Sequence, residues 1–207
     1  MTQAFLDIAV TPSVRAVQES MGTDGLWDIR NTGHVPDRFG EREMAFIAAR
    51  DSFFMATVSE TGWPYVQHRG GASGFLKVID DRTLAFADFR GNRQYLSVGN
   101  LAAGDRACLF MIDYSRRARL KIFVRVEVIS LDRDPALTGL VVDPAYRAKV
   151  ERIMKLKLEG FDWNCPQHIR PRFTEDEITE AIRPLHRRLA ELEAENAELR
   201  VQLSRKE

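Results

Sequence analysis

Trp63 to Val98 reads WPYVQHRGGASGFLKVIDDRTLAFADFRGNRQYLSV, and this stretch decides the fold. Phe75–Asp80 (FLKVID) and Thr83–Phe89 (TLAFADF) alternate apolar and polar residues with period two, the pattern of half-buried strands. Asp80-Asp81-Arg82 is the short turn between them. A hairpin brings the segment before Phe75 beside the segment after Phe89. Those two segments carry basic clusters, Gln67-His68-Arg69-Gly70-Gly71 and Arg90-Gly91-Asn92-Arg93-Gln94. Arg69 and Arg93 therefore converge from two strand ends. Arginine presents a planar fork of donors that suits bidentate phosphate recognition. Gly70, Gly71 and Gly91 allow backbone N–H groups to approach a ligand. A helix read over Arg93–Leu101 would add free N–H groups and a favourable dipole. Either cluster alone is equally a solvated strand end or a turn. Together, at hairpin spacing, they point to a phosphate attached to a ring system.

Outward from the hairpin, the chain is strand-rich. Thr11-Pro12-Ser13 opens a helix to about Met21, with proline tolerated in the first turn. Residues 22–37 read as a loop. Glu41–Arg50 is an amphipathic helix with Met44, Ile47 and Ala48 on one face. Strands are expected at 53–59, 64–67, 74–79, 83–87, 107–114, 120–131 and 151–163. Asp134 and Asp143, each followed by proline, mark two short helices. Many short antiparallel strands with few helices give a mainly β fold closed into a barrel, which spares it exposed edges.

These residues carry a resemblance. The order of a helix, the strand FFMATVSE, a Gly-Trp-Pro turn, a strand ending in a basic cluster, a hairpin and a basic loop resembles the FMN-binding split barrel of the pyridoxamine 5'-phosphate oxidase family. GWPYVQHRGG, FADFRGNRQY and FDWNCPQHI (Phe161–Ile169) are similar, more narrowly, to a flavin-nucleotide-binding subfamily. The resemblance covers about residues 41–173. It implies a Greek-key split β-barrel that dimerises, with two FMN sites at the interface. It places the flavin phosphate on Gln67, His68, Arg69, Asn92, Arg93 and Gln94, with Gly70 beside them. It runs the backbone of Ala87 and Asp88 along the flavin and hints at a contact from Lys121. Trp163, Asn164 and Gln167 would face the ring, from across the dimer. Trp163 as a plug in the barrel mouth is the competing reading. The oxidase itself ends in a segment that grips pyridoxal phosphate. Here the corresponding tail is RPLHRRLAELEAENAELR, with helical periodicity, so vitamin B6 oxidation is not implied.

The implied activity is a flavin-dependent oxidoreductase acting on a small molecule, with a nicotinamide nucleotide as a candidate reductant. A non-catalytic flavin or haem carrier or sensor is the alternative. Ser115–Arg119 is either a solvated hairpin tip or a basic guard that attracts an anionic substrate. Cys165 is a candidate reactive thiol. No metal-ligand set is visible.

Composition sets the outer bounds. The 207 residues hold 30 Lys+Arg against 30 Asp+Glu, so no strong field favours nucleic acid or an anionic membrane. Two cysteines, Cys108 and Cys165, suit a reducing compartment, and neither a signal peptide nor a membrane span is read. The expectation is a cytoplasmic protein. Its organisation reads as an N-terminal helix and loop (1–40), the barrel (41–173) and a C-terminal helix (174–207). In that last segment Thr174 and Glu177 form a capping box. Pro184 kinks or breaks the helix. Leu185, Leu189, Leu192, Asn196, Leu199 and Leu203 then recur at alternating gaps of four and three, a heptad seam with one asparagine. A parallel two-stranded coiled coil, a helix lying on its own barrel and a flexible charged tail are the three readings.

Overall fold

A computed structural model describes residues 2–26, 35–164 and 167–205. Seven strands build one antiparallel sheet: β1 (Ser52–Val58), β2 (Pro64–Gly70), β3 (Lys77–Asp80), β4 (Thr83–Phe89), β5 (Arg106–Asp113), β6 (Ala118–Ile129) and β7 (Val150–Asn164). Their hydrogen-bonded order is β2-β1-β5-β6-β7-β4-β3, a Greek-key path in which β4 pairs with the distant β7. β2 and β3 are the two ends of that order. The sheet nevertheless curls until β2 meets β4. Phe53 of β1 stacks on Phe75 at 5.6 Å and meets Phe86 of β4 edge-on at 5.4 Å. Arg69 of β2 forms an ion pair with Asp88 of β4. Side chains, not a backbone ladder, close this seam, and that is the split in the barrel.

The interior is filled by alternate residues of every long strand, among them Met55, Leu84, Leu109, Met111, Leu120, Ile122 and Leu156. Burial of each such side chain contributes about 1.5–3 kcal/mol. β4 departs from the expected half-buried alternation. Its residues 83–88 are all buried. The reason lies far along the chain. α5 (Pro135–Val141) lays Leu137 and Val141 over Ala85, Ala87, Ile129 and Ile153 on the outer face. Asp134 caps α5, as the Asp-Pro signal predicts. Asp143 forms only a turn, its carboxylate accepting from the Ala145 N–H.

Three further helices border this unit. α1 (Gln3–Ala9) is absent from the sequence reading. Thr2 caps it, Ala4, Phe5 and Leu6 are buried, and Phe5 stacks on Phe123 at 4.9 Å. α2 (Pro12–Ser20) begins as expected, with Thr11 as its cap. α3 (Glu41–Ala48) buries Glu43, Phe46 and Ile47. The face is therefore rotated from the expected one, and Ala48 is exposed. The rotation follows from Glu43, whose carboxylate accepts from the Gly40 N–H and from the Trp163 indole at 2.6 Å.

α1 also explains Gly160. A Cβ there would stand 2.8 Å from the Phe5 nitrogen and 3.0 Å from its Cα. These are backbone atoms that cannot rotate away. Gly160→Ala is expected to destabilise the protein by about 1–3 kcal/mol, read as a lower urea midpoint. An unchanged midpoint would mean that α1 does not dock against β7.

The chain divides into two units, residues 1–113 with 117–167, and residues 114–116 with 168–207. The second is built on α6 (Glu175–Ser204), a single 30-residue helix. The Thr174–Glu177 capping box is present in both directions. Pro184 lies inside the helix without ending it. Glu177 accepts from the Ser115 hydroxyl at 2.8 Å, and Arg172 lies 4.8 Å over the Tyr114 ring.

Candidate functional site

The alternation of β2 sorts its polar residues onto two faces. Tyr65, Gln67 and Arg69 line a concavity of about 50 Å³ at the seam between β2 and β4. His68 lies on the opposite face, where its ring meets Phe54 edge-on at 5.6 Å. The same concavity is lined by Asp88, Phe89 and residues 91–98. Arg69 and Arg93 thus share one cavity, as hairpin spacing predicts. Gln67 is fixed there by the Ser97 hydroxyl, which donates to its Oε1 at 2.8 Å. Asn92 and Gln94 bond each other, with the Gln94 N–H donating to Asn92 Oδ1 at 3.1 Å.

The loop and helix that complete the site differ from expectation. The helix α4 runs over Leu96–Ala103 and not from Arg93. Arg93 and Tyr95 have φ of 62° and 54°, left-handed conformations that prevent helix formation before Leu96. Such strain clusters at functional loops. α4 has no side-chain cap, and its first residues, Leu96, Ser97 and Val98, border the concavity. The glycines also play other parts than expected. The Gly71 N–H donates to the Asp51 carbonyl, and a Cβ on Gly71 would clash with the Phe75 ring at 2.7 Å. Gly71 therefore makes room for Phe75. Gly70 ends β2 opposite Ser52. Only Gly91 lies open on the cavity wall.

Charge at the site is ordered by a chain of ion pairs. Arg69 Nη1 holds Asp88 Oδ1 at 2.6 Å, and Arg152 Nε stands 3.6 Å from Asp88 Oδ2. Arg152 bonds Glu151 at 2.9 Å, and Arg90 Nε bonds the same carboxylate at 2.6 Å. Burial pushes the Asp88 carboxyl above its ordinary range, against the pull of Arg69 and Arg152. The hydrogen bond from Arg90 holds Glu151 below its range. Four guanidinium groups (Arg69, Arg90, Arg93, Arg152) face two carboxylates (Asp88, Glu151), an excess of two positive charges. Arg69 Nε is buried and has no hydrogen-bond partner. A buried donor left unmade costs about 1–3 kcal/mol, so an acceptor entering the notch beside this atom would be favourable. The planar guanidinium can present this N–H to an oxygen of a phosphate group.

Glu151, Arg152, Tyr95 and Ser97 were not among the residues singled out from sequence. Glu151-Arg152 reads as an ordinary strand start. Only the β4–β7 register, which sets Asp88 opposite Arg152, reveals their place.

The other singled-out residues lie away from the concavity. Ala87 is buried under α5. Lys121 Nζ is 3.4 Å from Asp162 and lies over the Phe5 ring. Trp163 donates to Glu43, packs edge-on against Phe46 at 4.8 Å and carries Arg42 over its ring at 4.2 Å. On its own chain it is a plug anchored to α3. Gln167 is exposed in a turn. Asn164 ends β7, while its side chain and Cys165 lie outside the described residues. Among the described residues no group of three potential metal ligands occurs, and no helix is long and apolar enough to cross a membrane.

A rolled antiparallel sheet with a basic notch at its split defines a split-barrel protein. The pyridoxamine 5'-phosphate oxidase family model matches residues 39–156, more than half of the chain, and the chain belongs to that family. No curated protein matches it. Solved structures include an FMN-binding protein from Syntrophomonas wolfei, 18% identical, covering 74% of this chain and 95% of that one at a TM-score of 0.41. HupZ from Group A Streptococcus is 13% identical, with 65% and 100% covered and a TM-score of 0.46. HutZ from Vibrio cholerae, described as a haem storage protein, is 16% identical, with 60% and 94% covered and a TM-score of 0.38. Likenesses at these values carry no functional weight.

Proposed function

We propose that this chain binds FMN and works as a flavin-dependent oxidoreductase on a small substrate, as a homodimer. The observation that carries the reading is the notch that Arg69 and Arg93 share with Gln67, Asn92 and Gln94, where the buried Arg69 Nε has no acceptor of its own. Family membership supports it. Arg69 and Arg93 would hold the phosphate. Gln67, held in place by Ser97, together with Asn92, Gln94 and the uncapped start of α4 would supply further donors. The bound flavin supplies one- and two-electron transfer, and the protein contributes placement and electrostatics. Asp88 keeps Arg69 aimed while its carboxylate repels a second anion.

The notch of about 50 Å³ is too small for a whole flavin, since ligand sites run to about 300–1,000 Å³. A second chain would complete it. The outer face of β1 and β2 supports that reading, because Phe54, Val58 and Val66 are 39%, 56% and 59% exposed side by side. Trp163, Asn164 and Gln167 would approach the ring from the partner subunit. Pyridoxal phosphate is a poor candidate substrate here. The Leu185-His186-Arg187 stretch belongs to the continuous helix α6.

The purified protein is expected to be yellow, with about one FMN per chain. Mass spectrometry of the heat-released ligand and a visible spectrum check this. Haem, or no uptake after FMN supplementation, would overturn it. Anaerobic addition of NADH or NADPH then tests the reductant: bleaching supports catalysis with that donor. Arg93→Ala is expected to weaken FMN by about 10–150-fold, the worth of one charged hydrogen bond. Arg93 is exposed on its loop, so circular dichroism should not change. An unchanged affinity would remove Arg93 from the site.

A further inference from the structure

α6 carries a longer seam than its leucines alone suggest. Because the helix continues through Pro184, Ile178 and Ile182 fall in register with Leu185, Leu189, Leu192, Asn196, Leu199 and Leu203. The gaps alternate four and three throughout. In heptad terms Ile182, Leu189, Asn196 and Leu203 are a residues, and Ile178, Leu185, Leu192 and Leu199 are d residues. Pro184 is then a c residue and faces away from the seam. That position explains how it is tolerated, since its ring and missing N–H disturb only the outer wall. No residue of α6 is buried. Leu185, Leu189, Leu192, Leu199 and Leu203 are 68%, 54%, 44%, 50% and 66% exposed. A helix of this length with an open apolar stripe presents a seam that a partner helix can cover.

We infer that the α6 helices of two copies of this chain pair in parallel as a two-stranded coiled coil. The charges beside the seam fit a second copy. In a parallel pair Arg188 meets Glu193 of the partner subunit, and Glu195 meets Arg200 of the partner subunit. Both pairs are of opposite sign. Charge alone would also allow an antiparallel pair, in which Arg188 meets the partner's Glu195. Asn196 decides between them. In parallel order it meets the partner's Asn196, and the two amides satisfy each other. In antiparallel order it faces the partner's Leu185 and remains unpaired among leucines, which is unfavourable for a buried amide.

Site-specific cross-linking of the full chain tests the inference. Leu199→Cys places a thiol at a d position. In a parallel coil it lies against its own counterpart. In an antiparallel one the two thiols stand about 25 Å apart, seventeen residues at about 1.5 Å each. Mild oxidation is expected to yield a disulfide-linked dimer, mapped by peptide mass spectrometry to residue 199 of both chains. The parent with native Cys108 and Cys165 serves as control. Adding Leu189→Asp and Leu192→Asp is expected to lower the linked fraction about tenfold by burying charge in the seam. No linkage at 199 would overturn the inference. So would a linkage that survives the two aspartates, because chain proximity without a seam would then explain it. In an Ile182→Cys/Leu199→Cys chain, a 182-to-199 link between subunits would establish antiparallel order and also overturn it. Flavin content does not enter these readouts, so the coil and the cofactor assignment stand or fall separately.

Discussion

Arg69→Ala is expected to lose both FMN and stability, whereas Arg93→Ala should lose only FMN. Arg69 and Asp88 are nearly buried, with side chains 12% and 6% exposed, and their contact is 2.6 Å. Removing one partner of such a pair costs about 3–5 kcal/mol, because the other charge is left in a low dielectric. Arg152 remains 3.6 Å from Asp88, so the lower end of that range is expected. FMN affinity should fall by about 150-fold, the upper end for one charged hydrogen bond. The stability deficit should depend on pH. Burial already raises the Asp88 pKa, and loss of Arg69 raises it further. A carboxyl with a raised folded pKa loses stability as pH rises through that value. The deficit should therefore shrink on acidification towards the ordinary 3.8 and grow as the pH is raised. Arg69→Ala/Asp88→Asn separates the two roles. It is expected to recover most of the stability and none of the affinity. Urea unfolding and FMN titration of the three variants measure both quantities. Recovery of FMN binding in the double variant would mean that Asp88 blocks the site and that Arg69 does not hold the ligand.

Local chemistry makes much of this fold legible in the chain itself. β1, β2, β5, β6 and β7 lie within a few residues of their expected bounds. Arg69 and Arg93 converge as hairpin spacing requires. The capping box and leucine spacing mark α6. What alternation does not say is which neighbours cover each face. The outer face of β4 looks solvent-facing until α5, some fifty residues later, covers Ala85 and Ala87. Gln67 and Arg69 share a face, and His68 occupies the other. The run QHR gives that split but not which side turns towards the notch. α1 escapes because seven residues carry too little periodicity, and its signal is a docking partner, Gly160.

The start of α4 illustrates a second limit. Propensity favours a helix from Arg93, yet two left-handed residues hold the loop open and place Arg93 on the cavity wall. Local preference yields here to the geometry of a site, the usual place for such conflict. Trp163 marks a third. Its surroundings in sequence suggest a ligand face, while its indole is already committed to Glu43 and Phe46. A role at the flavin would have to use its remaining edge across the dimer.

If the chain pairs through its barrel as proposed, Phe54→Asp/Val66→Asp is expected to dissolve that dimer and, with it, FMN retention. The two residues lie on neighbouring strands, with Phe54 paired to His68 and Ala56 to Val66, and Phe110 of β5 continues the same face. A two-fold interface uses the same patch on both subunits, so each substitution acts twice. Each apolar side chain lost from such an interface removes about 1.5–3 kcal/mol, and the desolvated carboxylates add repulsion. Four altered positions across the axis should weaken dimerisation by more than about a thousandfold. The aspartates lie on the outer face, opposite Gln67 and Arg69, so the notch itself is untouched. Any loss of flavin must then come from the missing second chain. Because the inferred α6 coil would be a separate tether, the comparison is made in a Leu189→Asp/Leu192→Asp chain, by analytical ultracentrifugation and bound-flavin absorbance. A folded monomer with weak FMN binding is the expected result. A monomer that retains FMN at parental affinity would show that one chain holds the whole cofactor. An undiminished dimer would place the barrel interface elsewhere on the sheet.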